Sequence, residues 1–452
     1  MKVTIIGGGG VRTPIVIYGL AQAHAVLQTS EVMLYDVDSA RLEIVARLCN
    51  EVLRSFDTPF PLRTSSNLED AASGAAFVLN SVRIGGMQAR ARDERIAIEH
   101  GLAGQETTGP GGAAMALRTL PVILDQARRL ENVAPDTWFI NFTNPAGLIT
   151  QALTEETQLR VIGICDTPAE LFHSIASCLE ADQREMEFDY AGLNHLGWIR
   201  RVTLDRRDIT PRILDDFELL RRLYPADLFD PYLIQTLRLI PTEYLFFYYS
   251  QRKAYENQLR AGVTRGEELA RLNKGLFDQL SGQNDTEALQ TYRAYLSRRN
   301  AFYMKLETQA ESAFQMDEKE QDPFETATGY HRIALDIMSG LASDKPRRIV
   351  LNVRNGSSIP DLLGTDIVEV PCEVDRNGAR PLHAGSLPES VRGLVLSVKA
   401  YERTLIKAAL EGSARLAQLA LLEYPIVGQW EVGGAVLHSL CEHDPEFLGY
   451  LQ

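Results

Sequence analysis

Two side chains able to ligate a metal stand out in this sequence, Cys165 and His195. They lie in the stretches Gly163-Ile164-Cys165-Asp166-Thr167-Pro168 and Gly192-Leu193-Asn194-His195-Leu196-Gly197-Trp198. A thiolate and an imidazole together suit a transition metal, with substrate oxygens and water filling the open positions. Spacing alone does not pair them. A lone cysteine is more often a small buried hydrophobe, and an isolated histidine is more often structural. Cys165 differs in ending a strand-like run beside an acid, Asp166. A second chemical signal comes earlier, where Gly7, Gly8, Gly9 and Gly10 follow the apolar run Val3-Thr4-Ile5-Ile6. Backbone at such a turn can approach a pyrophosphate closely because no side chains intervene, and the following helix N-terminus favours negative charge. Asp36, at the end of Glu31 to Tyr35, stands where a carboxylate would bind adenosine ribose hydroxyls, which favours NAD over its 2′-phosphorylated relative. The fingerprint departs from its usual form in carrying Arg12 at the third glycine position.

Two further blocks add polar chemistry. Arg83, Arg90, Arg92 and Arg95 precede the glycine-rich connection Gly104 to Gly112, and clustered arginines offer forked donors to phosphate or carboxylate. A solvated helix face accounts well for Arg92 and Arg95, less well for the glycines that follow. Asn141-Phe142-Thr143-Asn144-Pro145 ends another apolar run, Trp138 to Asn141.

The elements that must position these groups form a repeating pattern. A strand, a glycine turn, a helix over residues 14–28 and a second strand ending in an acid make one βαβ unit. Apolar runs at Ala76 to Asn80, Trp138 to Asn141 and Val161 to Ile164 supply further parallel strands, with helix between, notably Leu117 to Leu130. The loops after these strands fall at the carboxyl edge of the sheet, where ligands bind in such folds. The fold class expected is therefore α/β: a Rossmann-like doubly wound parallel sheet at residues 1–165, then a mixed α+β domain at residues 166–452. Strands are expected within residues 188–202, 348–353 and 367–371, and helix over most of 213–299 and over 394–410. The charged stretch 317–323 reads as a loop.

Composition narrows the function. The 452 residues are 45% hydrophobic and 23% charged, ordinary for a globular protein. A net charge of −14 disfavours nucleic acid as a partner, while leaving room for a small anion held by local arginines. Five cysteines without paired spacing read as reduced thiols in a cytoplasm. The apolar run before Gly7 is too short for a secretory core. No apolar run approaches the roughly 20 residues of a membrane span, so no membrane partner is expected.

Taken together, the glycine turn, the Arg90 to Gly112 block, Asn141 to Gly147, Gly163 to Pro168, Gly192 to Trp198, Ile240 to Tyr244 and Thr264 to Glu268 resemble the family-four glycoside hydrolases. The resemblance covers essentially the whole chain, and implies a fold like that of lactate and malate dehydrogenases. This NAD-dependent family is an exception to hydrolysis by two carboxylates. The nearest likeness, through Arg90 to Leu120 and Val368 to Cys372, is to 6-phospho-β-glucosidases.

The resemblance implies bound NAD that takes hydride from carbon three of the sugar and later returns it. It also implies manganese(II) or a similar divalent metal that stabilises the enediolate formed at carbon two. Cys165 and His195 match the metal ligands, Tyr244 the base that removes the carbon-two proton, and Asn144, Arg90 and Arg265 the groups that engage the substrate and its 6-phosphate. A homodimer or homotetramer is implied as well. From the residues alone Tyr244 reads as one of an aromatic helical stripe, Tyr244 to Tyr249, more often core than catalytic. A phenol with a pKa of about 10 also needs a nearby cation to act as a base.

Asp166 departs from the β-glucosidase pattern, which has Asn there. With Gly197 and Trp198 it resembles the α-glycosidase branches, where the acid protonates the leaving group. Uronides and sulfonated sugars are alternative substrates within the family. Outside it, the alternatives are a 2-hydroxy acid dehydrogenase and a non-catalytic NAD-binding regulator.

Overall fold

The computed structural model describes residues 1–57, 60–224, 228–301, 304–308, 324 and 329–452, so the stretch 317–323 lies outside the described residues. Among them the strands form one thirteen-stranded sheet. Its parallel half comprises β1 (Lys2–Ile6), β2 (Glu31–Tyr35), β3 (Leu62–Ser65), β4 (Phe77–Asn80), β5 (Trp138–Asn141) and β6 (Arg160–Gly163). The spatial order is β3-β2-β1-β4-β5-β6, with every neighbouring pair parallel. That is the doubly wound nucleotide-binding order. Helices cover both faces of such a sheet, so the central strands are apolar without alternation, as the fully buried Phe77–Asn80 illustrates.

The remaining strands extend this sheet in antiparallel fashion. They are β7 (Met186–Leu193), β8 (Leu196–Leu204), β9 (Arg207–Asp208), β10 (Ile240–Pro241), β11 (Arg347–Arg354), β12 (Ile367–Asp375) and β13 (Gly378–Pro381). Two narrow joints connect them to one another and to the parallel half. β11 meets β6 at the pair Asn352 and Gly163, and β12 meets β7 at Glu369 and Gly192.

Several elements differ from the sequence reading. The helix read over residues 14–28 is two, Thr13–Gln22 and His24–Leu27, separated at Ala23. The glycine-rich connection is shorter than it looked, because Gly109–Val133 is a single helix that takes in three of its glycines. These glycines are needed for close packing. A Cβ on Gly111 would lie 2.2 Å from the Gln105 carbonyl oxygen, and one on Gly112 would lie 2.4 Å from that of Thr107. Arg92 and Arg95 are partly solvated, at 40% and 33% side-chain exposure, but also pair with distant parts of the chain, Arg92 with Asp444 and Arg95 with Glu267. No helix among the described residues is long and apolar enough to cross a membrane.

Two buried cations tie the halves together. Lys399, on helix Glu389–Glu411, is fully buried and donates to the Gln151 side chain at 3.1 Å and the Ile367 carbonyl at 2.8 Å, beside Glu402. The Arg118 side chain, 0% exposed, donates to both Asp93 oxygens at 2.8 and 3.0 Å and to Asp444 at 2.6 Å. Removing such a cation strands its carboxylates in a dry interior, which costs about 3–5 kcal/mol. Arg118→Ala is therefore expected to lower the urea unfolding free energy by that amount. A loss under about 1 kcal/mol, the value of a solvated pair, would show that water reaches the site.

Candidate active site

A cleft of about 550 Å³ opens over the carboxyl ends of the parallel strands. At one end lies the glycine turn. Gly7 adopts φ +83°, and a Cβ there would sit 2.4 Å from the Ser81 carbonyl oxygen, so β1 and β4 close together only around a glycine. The amides of Gly7 and Gly8 donate to the Tyr35 carbonyl, that of Gly10 to Gly7, and that of Gly9 to Asp36 Oδ2 at 2.9 Å. These glycines thus shape the turn and leave its surface bare, rather than offering their amides outward. Asp36 Oδ1 accepts from the Asp38 amide at 3.0 Å, so its carboxylate is held from two sides at the cleft wall. A bare turn beside a pinned acid at a strand end fits a dinucleotide with free ribose hydroxyls.

At the other end the cleft reaches Asn144, Arg90 and Glu106. Asn144 stands on a loop fixed from β4 and β5. Asn80 donates to Asn141 at 3.1 Å and to the Thr143 hydroxyl at 2.9 Å, and that hydroxyl also accepts from the Val82 amide. The Asn144–Pro145 peptide is cis. Arg90, nearly fully buried on helix Gly86–Glu99, lies between Glu94 and Glu106, each at 2.8 Å. Burial would weaken its charge, but Glu106 and Glu94 outweigh this and hold the guanidinium protonated. Burial would likewise push the Glu106 carboxyl up, yet Arg90, Arg83 and Arg265 hold it well below the usual range. Arg265 opens helix Arg265–Leu280, whose N-terminus is closed by a Thr264–Glu267 capping box. The amide of Gly266 donates to Glu94 at 2.6 Å. Arg90 and Arg265 therefore meet around one buried acidic pair contributed by Glu94 and Glu106.

Tyr244 and His195 are linked to the cleft through these same charges. Tyr244 lies within electrostatic reach of Arg90, and His195 within reach of Glu106. The two rings stack at 3.9 Å between centroids and 13° between planes. The aromatic stripe read from sequence splits here. Tyr244 falls in a 3₁₀ turn, Glu243–Leu245, and is half-buried, whereas Phe246 and Phe247 in the next turn are core. His195 occupies the tight turn between β7 and β8 at φ +60°, a conformation favouring Gly or Asn. Burial lowers its pKa to about 4, so at neutral pH the ring is uncharged and keeps a lone pair for a cation.

Cys165 follows β6 and is buried. Its thiol pKa is raised by burial and by the charges of Glu369 and Asp166, while hydrogen bonds from Thr167 pull the other way. Asp166, with a side chain 17% exposed, has its Oδ2 4.0 Å from Arg12, which lines the cleft. No hydrogen bond joins Cys165 to His195, and among the described residues no group of three His, Cys, Asp or Glu side chains surrounds a metal position. A soft sulfur and a neutral imidazole remain a suitable donor pair for a cation that takes its other ligands from substrate and solvent. The thiol would lose its proton as the cation bound.

Sequence reasoning assigned no role to the side chain that organises this region. Glu369 is buried in β12 and accepts from Tyr190 Oη at 2.6 Å, Asn352 Nδ2 at 2.9 Å and Asn194 Nδ2 at 3.4 Å. Asn194 uses its oxygen to accept from the Ala146 amide at 3.0 Å, next to the Asn144–Pro145 bond. One carboxylate thus connects the residue before His195 to the loop carrying Asn144. The available signal was a glutamate inside the otherwise apolar run Ile367-Val368-Glu369-Val370. Glu106 and Arg299, which also line the cleft, have no role in the sequence reading, whereas Arg83, one of its clustered arginines, lines the cleft as well.

The chain matches the model of the family 4 glycosyl hydrolases over residues 2–181 and that of their C-terminal domain over residues 190–427. A protein of Bacillus subtilis described as a probable 6-phospho-beta-glucosidase is 30% identical over 99% of this chain and 97% of its own length. A phospho-alpha-glucosidase of Clostridium acetobutylicum is 27% identical over 98% of this chain and 97% of its own. The 6-phospho-beta-glucosidase of Thermotoga maritima, solved with manganese, NAD+ and glucose-6-phosphate, superposes with a TM-score of 0.82 at 27% identity, covering 99% of each chain. The lactate dehydrogenase of Eimeria maxima shares the fold alone, with a TM-score of 0.52 at 15% identity over 91% of this chain and 95% of its own.

Burial raises the Glu369 carboxyl to about 7, against three hydrogen bonds that lower it. Because the folded pKa exceeds the unfolded one, this group stabilises most below about pH 4.3, and its contribution is lost as pH rises through about 7. The unfolding free energy of the protein should therefore fall relative to that of Glu369→Gln over this window, by at most about 1.4 kcal/mol per pH unit. Urea denaturation at several pH values checks this. Parallel curves would mean that the carboxyl is ionised throughout.

Proposed function

Because this chain belongs to the family 4 glycosyl hydrolases, we propose that it hydrolyses 6-phosphoglucosides, β-linked ones first, with NAD and a divalent cation such as manganese. The observation that carries the reading is a single cleft joining a dinucleotide-type turn and ribose acid to an arginine-rich polar end beside a stacked His195–Tyr244 pair. Residues 1–165 carry the dinucleotide turn in this reading, together with Arg90, Asn144 and Cys165, and residues 166–452 supply His195, Tyr244 and Arg265.

When bound, NAD would supply hydride acceptance and return, and the cation would supply Lewis acidity beside the oxidised carbon. Cys165 and His195 would hold the cation, one from the end of β6 and one from the β7–β8 turn. Tyr244 takes the proton from carbon two. The Arg90 guanidinium within its reach stabilises the phenolate, meeting the need for a nearby cation. Arg90 is engaged with two carboxylates, which suits it to fixing the Tyr244 side of the site. Asn144 and Arg265 engage the sugar and its 6-phosphate, an anion that a protein of net charge −14 can hold only at such a local cationic cluster.

The position of Asp166 favours a second reading, for α-linked substrates. Its partly exposed carboxylate directly follows Cys165, the position at which the α-glycosidase branches it resembles carry the acid that protonates the leaving group.

The two p-nitrophenyl glucoside 6-phosphates, α and β, would be assayed with NAD and manganese each present or omitted. Turnover requiring both, with deuterium from solvent appearing at carbon two of the product, is the expected result. Turnover persisting after both are stripped would overturn the mechanism, and inertness towards both anomers would overturn the 6-phosphoglucoside assignment. Tyr244→Phe should lower kcat by about 10²- to 10⁴-fold while leaving NAD affinity unchanged. Cys165→Ser should weaken manganese binding, read from the paramagnetic resonance of free manganese.

A further inference from the structure

The chain beyond residue 427, where the family match ends, returns to the cleft. Helix Trp430–His443 packs along helix Gly86–Glu99 and delivers Asp444 to a buried position between Arg118 and Arg92, at 2.6 and 3.1 Å. The short helix Pro445–Leu448 follows, with Leu448 fully buried. Beyond it Tyr450 Oη donates to the Leu117 carbonyl at 2.8 Å, and the Gln452 amide donates to the Gly412 carbonyl at 2.7 Å. The segment is therefore fastened on both sides of Phe447, and Phe447 lines the cleft. The fastening also abuts the cleft wall itself, since a Cβ on Gly85 would lie 3.0 Å from Arg118 Cδ.

The cleft has an apolar lining besides this ring. Met115 and Val122, seven residues apart on one face of helix Gly109–Val133, line it together with Ile84 and Met87. Val37, beside the ribose acid, also lines the cleft and is 82% exposed, an apolar side chain with nothing over it. The opposite end is lined by Arg90, Glu106 and Asn144. A dinucleotide laid with its ribose on Asp36 carries one large flat apolar group at that end, the purine. Aromatic and thioether side chains are good contacts for such a face.

We infer that the C-terminal segment is a wall of the dinucleotide site, with Phe447 packing against the adenosine half of the bound cofactor while Asp444 and Arg118 hold it in place. This rests on the NAD reading above and extends the cofactor site to a part of the chain outside the family match. Docking of the segment and binding of the dinucleotide are then linked, each favouring the other by the same factor.

The test uses the full chain, stripped of cofactor, titrated calorimetrically with NAD+ and with ADP-ribose. Phe447→Ala should weaken both ligands by the same factor, about 5- to 30-fold, the range for losing one buried ring contact. Phe447→Leu, which keeps an apolar side chain, should weaken them less and preserves the test if the alanine variant does not fold. Asp444→Asn should weaken both while lowering the melting temperature. In the wild type, NAD+ should slow amide exchange over residues 445–450. An unchanged ADP-ribose affinity in a folded Phe447→Ala or Phe447→Leu protein overturns the inference alone. A wild type that binds neither ligand overturns the cofactor reading beneath it.

Discussion

A carboxylate without water around it, that of Glu369, is the constraint on which the site depends. A group so placed must be matched by donors, and the three it receives come from separate elements: Tyr190 on β7, Asn194 in the turn after β7, and Asn352 on β11. These are the places where the sheet is joined most narrowly, through the single pairs Asn352–Gly163 and Glu369–Gly192. Where backbone pairing is sparse, side-chain hydrogen bonds set the relative positions of strands. The same network reaches Asn144 through Asn194, and Cys165 through charge. Groups separated by many residues are thereby held to one geometry, as a multi-residue site requires.

Much of this was legible beforehand, and the reasons differ from element to element. The parallel half announced itself through local signals: β-branched apolar runs, a glycine turn and an acid at a strand end, each reporting its own backbone. Trp138–Asn141 was read to the residue. Pairings between distant parts of the chain left no local trace. Arg92 and Arg95 looked like a solvated face because their partners, Asp444 and Glu267, lie far along the sequence. Gly111 and Gly112 looked like loop because a helix that demands close backbone approach selects the same residue as a turn. Glu369 is the instructive omission. A charge inside an apolar strand is a clear anomaly in the sequence, but its partners appear only when strands from both ends of the second half lie side by side.

Charge is arranged on two scales. Over the whole chain acids exceed bases, giving −14. Around the cleft Arg12, Arg83, Arg90 and Arg299 are set against Glu106, with Arg265 within its reach. Burial makes each isolated charge costly, so the arginines are interleaved with carboxylates instead of being left as a bare cationic wall. An anionic substrate then meets positive groups already held in place by their partners, with little reorganisation left to make.

The turn that carries His195 has an evolutionary consequence. A histidine at φ +60° occupies backbone that glycine or asparagine adopts more readily. Drift under selection for stability alone would replace it, since relieving that strain favours the folded state. The ring stacked on Tyr244 is what the strained backbone presents at the site. Engineering this chain for stability alone would be drawn to replace the residue and would lose the ring stacked on Tyr244. Safer positions for such engineering are exposed helical ones clear of the other non-glycine residues at positive φ, such as Arg238 and Met304 in the second half.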